Sequence, residues 1–305
     1  MLIVERIVTN QRKADWFIRV LTGLSRLPLP LVHGLGWLLG HLYVLFPSRD
    51  RRVTWVNLGI AFPELTAWQR WRLMRLFFAE LGKTACELGW MWLAKPEALF
   101  AQIKQVKGLH LMEAALAQQK GVLLLTPHFG AWELAGLFWA STHGMASLYQ
   151  PSDYPEIEDF VREARQRTGA KLVPTDMSGV RALLATLKQN QIAGILPDQD
   201  PGENGGEYAP FFALPAYTMV LAGRLASKSQ APVLFTWCER LSWGRGYCLH
   251  VLPASDAIAS KDLADSAQAM NADIVRYVAQ CPQQYIWNYK RWKRQADGKD
   301  VYESC

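Results

Sequence analysis

The sequence predicts an α/β fold in which helices flank a central, mixed β-sheet, preceded by an N-terminal helical segment that associates with a membrane. Two short runs of continuous apolar residues, Val122–Leu125 and residues 192–196, have the composition of strands that are buried on both faces. Stretches with helical periodicity separate these runs from further strand-like segments, a pattern typical of α/β proteins. With 305 residues, the chain can form one large domain or two small ones.

The composition favours a membrane-associated enzyme over a nucleic-acid-binding protein. Half of the residues are hydrophobic, 20% are charged and 13 are tryptophan, a residue that is enriched at membrane–water interfaces. Residues 1–52 carry eight Arg or Lys and three acidic residues, and this basic, apolar start suits an anionic membrane surface. The five cysteines are widely spaced without a C-x-x-C pair, so we expect no zinc site, no disulfide framework and a reduced, cytoplasm-facing domain.

Two helices are predicted for the N-terminal segment. Residues 1–22 have the character of an amphipathic helix, which Pro28 and Pro30 end. Residues 31–46 are almost wholly apolar, but they are fewer than the roughly 20 residues needed to span a bilayer squarely. A tilted or re-entrant anchor and an interfacial helix remain open, with a buried core helix as the alternative. We therefore divide the chain into membrane-attachment helices (1–50) and an α/β catalytic domain (51–305) with a helical lead-in at about 51–107.

The remaining elements follow from periodicity and from start and stop signals. A capping-box pattern at Thr66 and Gln69 begins a long helix that ends before Lys95 and Pro96. Helices are predicted at residues 66–93, 108–119, 155–168, 178–189, 216–229 and 261–280, and further strands at residues 147–150, 233–238 and 247–252. The sequence contains no internal repeat, which excludes repeat architectures.

His128 lies where the first buried strand is predicted to end. Pro127 cannot continue a strand ladder, and the residues from Gly130 onward suit a helix. Ligands bind at this edge of open α/β sheets. Five residues apart on one helix, His128 and Glu133 would lie about 140° apart. With His128 in the turn and Glu133 in the first helical turn, the carboxylate can instead reach the imidazole, forming a base and its orienting acid.

The turn allows two further interpretations. The helix-opening amides near Gly130 and Ala131 are candidates for stabilising an oxyanion. Alternatively, Glu133 only caps the helix and His128 is a turn residue without a catalytic role. The H-x4-E spacing alone does not decide between these hypotheses, because such short patterns are common by chance.

Polar residues also follow the second buried strand. Asp198 and Asp200 resemble a calcium loop, but Gly202 stands where the third oxygen ligand would be. We interpret both carboxylates as loop-ordering or substrate-facing groups and predict no metal. Arg165 and Arg167 lie beside the apolar stripe of a predicted helix, where a solvated basic face is the alternative. Near the C-terminus, residues 284–294 interleave aromatic and cationic side chains, which suits phosphorylated or lipid headgroups.

Several separated blocks together resemble one family. They are Asn57-Leu58 with Phe62-Pro63-Glu64-Leu65, then His128-Phe129-Gly130-Ala131-Trp132-Glu133-Leu134, Tyr149 with Pro151, Arg165 with Arg167, Asp198-Gln199-Asp200 with Gly202 and Pro210-Phe211-Phe212, and Gln284-Tyr285-Ile286-Trp287 with Lys290-Arg291-Trp292-Lys293. In this order and over most of the chain, they are similar to the late acyltransferases of lipid A biosynthesis, the lauroyl/myristoyl transferases of the lysophospholipid acyltransferase superfamily. A departure is Ala131, where relatives often carry Asn, which puts in doubt one side-chain hydrogen bond.

The resemblance implies a glycerolipid-acyltransferase-like fold and a specific reaction. An acyl chain of the lauroyl or myristoyl class moves from acyl carrier protein to a hydroxyl of a hydroxyacyl chain on a lipid A precursor. In that reaction His128 is the general base and Glu133 the orienting carboxylate. No metal or other cofactor is expected. The residues proposed to bind substrate or to stabilise the oxyanion are Arg165, Arg167, Asp198, Asp200, Asn288 and Arg291.

The implied location is the bacterial inner membrane, with the catalytic domain on the cytoplasmic side. The expected partners are acyl carrier protein, the lipid A precursor and the membrane, and no nucleic acid. The alternatives are a glycerolipid or glycosylated phospholipid acceptor, thioester hydrolysis, and a non-catalytic lipid-binding protein. A serine hydrolase would need a G-x-S-x-G nucleophile motif, which the sequence lacks.

Overall fold

The computed structural model describes residues 11–151 and 155–303. Within these residues, a mixed sheet of seven strands is flanked by helices, which confirms the predicted α/β class. The first ten residues of the predicted helix 1–22, part of the predicted 151–155 loop and Cys305 lie outside the described residues.

The bounds of the elements agree with most of the predicted ones. The helices are α1 (Gln11–Ser25), α2 (Leu29–Tyr43), α3 (Arg49–Ala61), α4 (Ala67–Leu93), α5 (Pro96–Phe100), α6 (Leu109–Leu116), α7 (Trp132–His143), α8 (Pro155–Gln166), α9 (Met177–Lys188), α10 (Leu221–Ser229) and α11 (Leu263–Val278). The strands are β1 (Ile103–Lys107), β2 (Val122–Leu125), β3 (Met145–Tyr149), β4 (Lys171–Pro174), β5 (Ile192–Ile195), β6 (Gly206–Phe211), β7 (Leu214–Met219), β8 (Val233–Arg240) and β9 (Tyr247–Pro253).

The sheet order brings the two polar strand ends together. The strands lie in the order β1-β9-β8-β2-β5-β3-β4, and all neighbouring pairs are parallel except β8 with β9. The buried strands β2 and β5 are direct neighbours, with Leu125 opposite Ile195. Because parallel neighbours end at the same edge, the loops that carry His128 and Asp198 leave the sheet side by side.

One predicted helix is wrong in its first part. Residues 216–219 belong to β7, which pairs with β6 as an antiparallel hairpin, and α10 begins only at Leu221. The hairpin turns at Phe212, whose φ is 54°, and Pro210 pairs with Pro215. Aromatic and β-branched residues in residues 214–219 favour a strand, and their pairing with β6 decides the local structure.

Two strands of the sheet were not predicted. β1 and β4 lie at the two edges, and their side chains are half-buried or exposed. An edge strand buries little apolar surface, so its sequence lacks the continuous hydrophobic run that identified β2 and β5.

Helix α2 packs closely on α4 through glycines. A Cβ atom at Gly40 would lie 2.0 Å from the backbone oxygen of Phe78, and one at Gly82 would lie 2.1 Å from the backbone oxygen of Gly36. Such short distances require that the two helix backbones approach without side chains between them. The spacing of Gly36 and Gly40 therefore serves contact with α4 within the same chain.

Replacing Gly40 with alanine is expected to destabilise the protein by about 1–3 kcal/mol or more, because the new methyl group overlaps the α4 backbone. Gly34 lies on the same helix and has no neighbouring atom within 4 Å of its Cβ position. Gly34→Ala is the matched control and should stabilise by about 0.5–1 kcal/mol, the usual helix-interior difference. Thermal and urea unfolding measure both variants, and equal effects would contradict the packing described here.

No helix among the described residues combines the length and apolarity that crossing a membrane requires.

Candidate active site

His128 occupies the predicted turn between β2 and α7. The turn is tight at Gly130, whose φ is 60° and whose missing Cβ would lie 2.1 Å from the backbone oxygen of Cys238 on β8. Only glycine fits this close approach. On the other side, Phe129 forms an isolated antiparallel bridge with Tyr285. The turn is thus held between β8 and the C-terminal segment.

Asp198 holds both the backbone and the side chain of His128. One carboxylate oxygen accepts the His128 backbone N–H at 2.9 Å, and the other lies 2.8 Å from imidazole Nδ1. The Asp198 side chain is fully buried, whereas the imidazole is 13% exposed. This arrangement is the base-and-carboxylate pair found in catalytic triads, in which the other ring nitrogen, Nε2, faces the nucleophile.

The charge state of Asp198 fixes the imidazole tautomer. Burial raises the pKa of Asp198, but the charge and hydrogen bonds of His128 outweigh it and lower that pKa below its usual range. An ionised carboxylate only accepts hydrogen bonds, so Nδ1 carries the proton and Nε2 carries the lone pair. Nε2 is therefore the atom able to accept a proton from a substrate.

Glu133 lies in the first turn of α7, as predicted, but its carboxylate contacts Arg165 and not the imidazole. Its carboxylate oxygens accept hydrogen bonds from Arg165, one from Nε at 3.0 Å and one from Nη2. Burial raises the Glu133 pKa, but the Arg165 charge outweighs it and lowers that pKa. The side chain hydrogen-bonded to Nδ1 of His128 is thus Asp198 rather than the predicted Glu133. The reason is the sheet order, which places a carboxylate from the neighbouring strand end nearer to the imidazole.

Arg165 and Arg167 project from the same segment but serve different groups. Arg165 pairs with Glu133 and lies over the Tyr149 ring, 5.5 Å from its centroid. Arg167 donates to the backbone oxygens of Ala94 and Met91, the latter at 2.6 Å, at the end of α4. Cations suit helix C-termini, so the structure gives Arg167 a helix-capping contact instead of a position exposed to substrate phosphate.

The remaining predicted residues anchor the loop and the C-terminal segment. Asp200 accepts from Arg294 Nε at 3.0 Å and from the Gly202 backbone at 2.8 Å. Arg291 is 3% exposed and donates to the Tyr217 backbone oxygen at 2.7 Å. Burial lowers the pKa of Arg291, and nearby tyrosine and aspartate groups partly offset this effect. Asp200 and Arg291 therefore lie in structural contacts that order the walls of the site.

The helix-opening amides that are candidates for stabilising an oxyanion already donate hydrogen bonds within the protein. The Gly130 N–H donates to the backbone oxygen of Gln284 at 3.0 Å, and the Ala131 N–H donates to that of Cys238 at 2.8 Å. Both bonds also fix the turn in place. These two amides are therefore not available to a substrate oxygen in this structure.

A cavity extends from His128 along α4. Its apolar wall comes from α4 and Trp132, and its other wall from the segment that includes Asn288. The lining α4 side chains are Phe77, Leu81, Ala85, Leu88 and Trp92, joined by Glu80 and Thr84. Asn288 is 1% exposed, and its Oδ1 has no hydrogen-bond partner among the described residues. Periodicity predicted α4 as a packing helix, so sequence analysis missed its role in lining this cavity.

Gln199 is a second feature that sequence analysis did not single out. Its Nε2 lies 3.2 Å from His128 Nε2, the ring nitrogen that carries the lone pair. The sequence does contain a signal, because Gln199 stands between two candidate site residues, Asp198 and Asp200. Only the adjacency of β2 and β5 shows that it reaches His128.

A group of possible metal ligands lies on β8 and β9. Among the described residues, Glu239, Cys248 and His250 are the only three such side chains whose ligand atoms lie within 4.8 Å of one another. His250 Nε2 is already 2.9 Å from Glu239. Burial lowers the His250 pKa, although the Glu239 carboxylate partly offsets this effect and the Lys107 ammonium adds slightly to it. That the enzyme needs no metal stays a prediction.

Comparison with known proteins agrees with the resemblance. Residues 7–294 match the family model described as bacterial lipid A biosynthesis acyltransferase. The lipid A biosynthesis lauroyltransferase of Escherichia coli (strain K12) is 28% identical over 284 residues, covering 92% of this chain and 91% of that protein. The palmitoleoyltransferase of that organism is 27% identical, covering 93% and 92%, and the myristoyltransferase is 25% identical, covering 90% and 85%. The chain is an acyltransferase and belongs to the family of bacterial lipid A biosynthesis acyltransferases.

Proposed function

We propose that this enzyme transfers a lauroyl- or myristoyl-class chain from acyl carrier protein to a hydroxyl of a hydroxyacyl chain on a lipid A precursor. The observation that carries the proposal is the His128–Asp198 pair, whose imidazole lines a cavity with an apolar wall. The donor and acceptor are those implied by the family resemblance, and the relatives' names indicate the same acyl classes.

In the proposed reaction, Nε2 of His128 removes the proton of the acceptor hydroxyl. The hydroxyl oxygen then forms a bond to the thioester carbonyl carbon, and the carbonyl π-electrons move to oxygen. Collapse of this intermediate breaks the C–S bond, and the proton on Nε2 passes to the thiolate. Asp198 stabilises the transient imidazolium. General-base catalysis of this kind contributes about 10²- to 10⁴-fold, and neither a metal nor another cofactor is part of the proposal.

The acyl chain of the donor is proposed to lie along α4. Phe77, Leu81 and Leu88 line the cavity, and an acyl chain buried against them leaves water. Each acyl methylene that is buried contributes about 0.8 kcal/mol to binding. The enzyme should therefore prefer the acyl chain whose length matches the apolar wall. Glu133 lines this cavity and is paired with Arg165, and a role for this pair in catalysis is part of the same proposal.

We also propose that α2 and the turn after β8 attach the protein to an anionic membrane surface. Large apolar side chains of α2 and the residues after it remain exposed in water: Leu31, Leu35, Trp37, Leu38, Leu39, Leu42, Leu45 and Phe46. Trp243, between β8 and β9, is 89% exposed, and the adjacent Gly244 packs against Pro30 at the start of α2. Exposed Arg26 and Arg52 flank this apolar surface. Apolar and basic groups together suit an interfacial helix.

This location is further supported by the relation of α2 to the cavity. α2 packs on one face of α4, and another part of the α4 surface lines the cavity beside His128. A lipid acceptor in the membrane thus has a short path to the site. The four described cysteines are free and buried, which is compatible with the proposed cytoplasmic side of the inner membrane.

Replacing Leu38 and Leu45 together with glutamate is expected to weaken binding to phosphatidylethanolamine/phosphatidylglycerol vesicles by about 100-fold. Each large apolar side chain that leaves water contributes about 1.5–3 kcal/mol, and 1.4 kcal/mol is tenfold. Met177→Glu alters an apolar side chain that is 67% exposed on α9 and serves as the control. Vesicle co-sedimentation measures the binding of the double variant, the control and wild type. Equal binding by the double variant and wild type would contradict membrane attachment through α2.

The proposed reaction is tested by incubating the purified enzyme with lauroyl- or myristoyl-acyl carrier protein and a lipid A precursor. Mass spectrometry should show the precursor gaining one acyl mass for each acyl-carrier-protein thiol released. Release of thiol with free fatty acid alone would indicate hydrolysis. Acylation of an added glycerolipid but not of the lipid A precursor would show that the proposed acceptor is wrong.

A further inference from the structure

The groups first considered for stabilising the oxyanion are engaged in other contacts. The Gly130 and Ala131 amides donate to backbone oxygens, and both donor groups of Arg165 that face Glu133 are bound to its carboxylate. The carbonyl oxygen of a thioester gains a full negative charge during acyl transfer and requires a donor nearby. A side-chain amide already lies at the reactive nitrogen of the base, that of Gln199.

We propose that Gln199 is a catalytic residue whose side-chain amide donates a hydrogen bond to the oxyanion. The inference rests on the proposed acyl transfer, because it assigns the group that stabilises the charge formed there. It is carried by the 3.2 Å distance between Gln199 Nε2 and His128 Nε2.

The geometry places the amide within reach of the developing charge. The acceptor hydroxyl must lie about 3 Å from His128 Nε2 to transfer its proton. Its oxygen bonds to the carbonyl carbon, so the carbonyl oxygen lies one bond beyond that carbon. An amide that starts 3.2 Å from Nε2 reaches this position by a small rotation of its side chain.

Binding of the acceptor releases the amide. Nε2 has one lone pair, which accepts the Gln199 N–H in the structure, and it cannot take the hydroxyl proton at the same time. The acceptor hydroxyl therefore replaces the amide at Nε2. When the hydroxyl proton moves to Nε2, the carbonyl π-electrons move to oxygen and create a new acceptor beside the displaced amide. The N–H of Gln199 then donates to the oxygen that has gained negative charge. No additional reactant is needed.

The two neighbours of Gln199 hold its backbone in position. Asp198 is fixed by two contacts with His128, and Asp200 is fixed by Arg294 and by the Gly202 backbone. The Asp200 backbone N–H also donates to the Tyr289 hydroxyl at 2.9 Å. A donor on such a prearranged loop needs little reorganisation when charge develops, which is the condition for effective oxyanion stabilisation.

The test compares the steady-state kinetics of Gln199→Ala and Gln199→Glu with wild type, using lauroyl-acyl carrier protein and a lipid A precursor. Loss of one oxyanion donor lowers kcat by about 10²- to 10³-fold, and KM for both substrates should change by less than about threefold. Glutamate has nearly the shape of glutamine but offers no N–H. It keeps the test decisive even if the alanine variant unfolds. Gln118→Glu makes the same change at an exposed position and should match wild type.

Two results would overturn the inference. Retention of kcat within tenfold by both Gln199 variants would show that the amide does not stabilise the oxyanion. A higher kcat together with a lower KM for the acceptor would show that Gln199 only obstructs the acceptor position. If wild type transfers no acyl group while its thermal unfolding is normal, the proposed function itself fails, and the role of Gln199 fails with it.

Discussion

Asp198→Asn is expected to lower kcat for acyl transfer by about 10⁴-fold with little change in thermal stability, the effect seen when a triad aspartate is replaced by asparagine. The Asn side chain can offer its NH₂ to Nδ1 and so favour the tautomer that carries its proton on Nε2. That tautomer has no lone pair where the acceptor hydroxyl must bind. The variant also removes the charge that stabilises the imidazolium. Steady-state kinetics and a thermal unfolding curve measure the two effects separately.

Asp297→Asn is the matched control, because it makes the same substitution at an exposed carboxylate near the C-terminus. It should leave kcat unchanged. Asp198→Asn retaining activity within tenfold of wild type would show that Asp198 does not set the imidazole tautomer, and the orienting role would have to return to another carboxylate such as Glu133.

Arg240→Met is expected to lower the free energy of unfolding by about 3–5 kcal/mol, the usual effect of removing one partner of a buried ion pair. Glu87 on α4 is 2% exposed and accepts from Arg240 Nε and from the Tyr247 hydroxyl, each at 2.9 Å. The oxygen that accepts from Tyr247 also lies 3.0 Å from His33 Nε2 on α2. Without Arg240, the carboxylate would remain buried beside weaker partners. Urea unfolding measures the loss.

The same substitution should also lower activity, because Arg240 Nη2 donates to the backbone oxygen of Gly130 at 3.1 Å in the turn that carries His128. The double variant Glu87→Gln/Arg240→Met removes both charges and should recover part of the stability. If the free energy of unfolding of Arg240→Met lies within about 1 kcal/mol of the wild-type value, the buried pair does not stabilise the protein as described.

Glu87 also gives the stability a defined pH dependence. Burial raises its pKa, but the charge of Arg240 and the hydrogen bonds of His33 and Arg240 outweigh burial and lower that pKa from 4.5 to about 2. A lowered carboxylate pKa contributes stability that is complete above the unfolded pKa and is lost as pH falls through the folded one. Wild type should therefore lose this contribution between about pH 4.5 and 2, and the double variant should not.

Local sequence patterns were sufficient to locate the proposed base, His128, but not the carboxylate that contacts it. The apolar run, Pro127 and the following helix located His128 at a strand end, and this position is confirmed. Asp198 lies 70 residues further along the chain, and its contact with His128 depends on β2 and β5 being neighbours. Strand order is a property of the whole sheet, so spacing along the chain favoured Glu133, which is nearer in sequence.

Burial is the second property that local patterns did not reveal. The cations near the C-terminus suggested a surface for phosphate groups, but Arg291 is enclosed by the hairpin of β6 and β7. An arginine can donate hydrogen bonds either to backbone oxygens or to a phosphate group. Only the packing of the C-terminal segment shows which of the two Arg291 does. Likewise, the spacing of Gly36 and Gly40 is explained only by the close packing of α2 against α4.

The most direct test of the central claim is the mass of the lipid A precursor after incubation with acyl-acyl carrier protein and either wild type or His128→Ala. The account predicts that wild type adds a lauroyl- or myristoyl-class mass and that the folded variant adds it at least 10²-fold more slowly, because the general base is gone. Transfer by His128→Ala at the wild-type rate would contradict the proposal that this imidazole activates the acceptor hydroxyl.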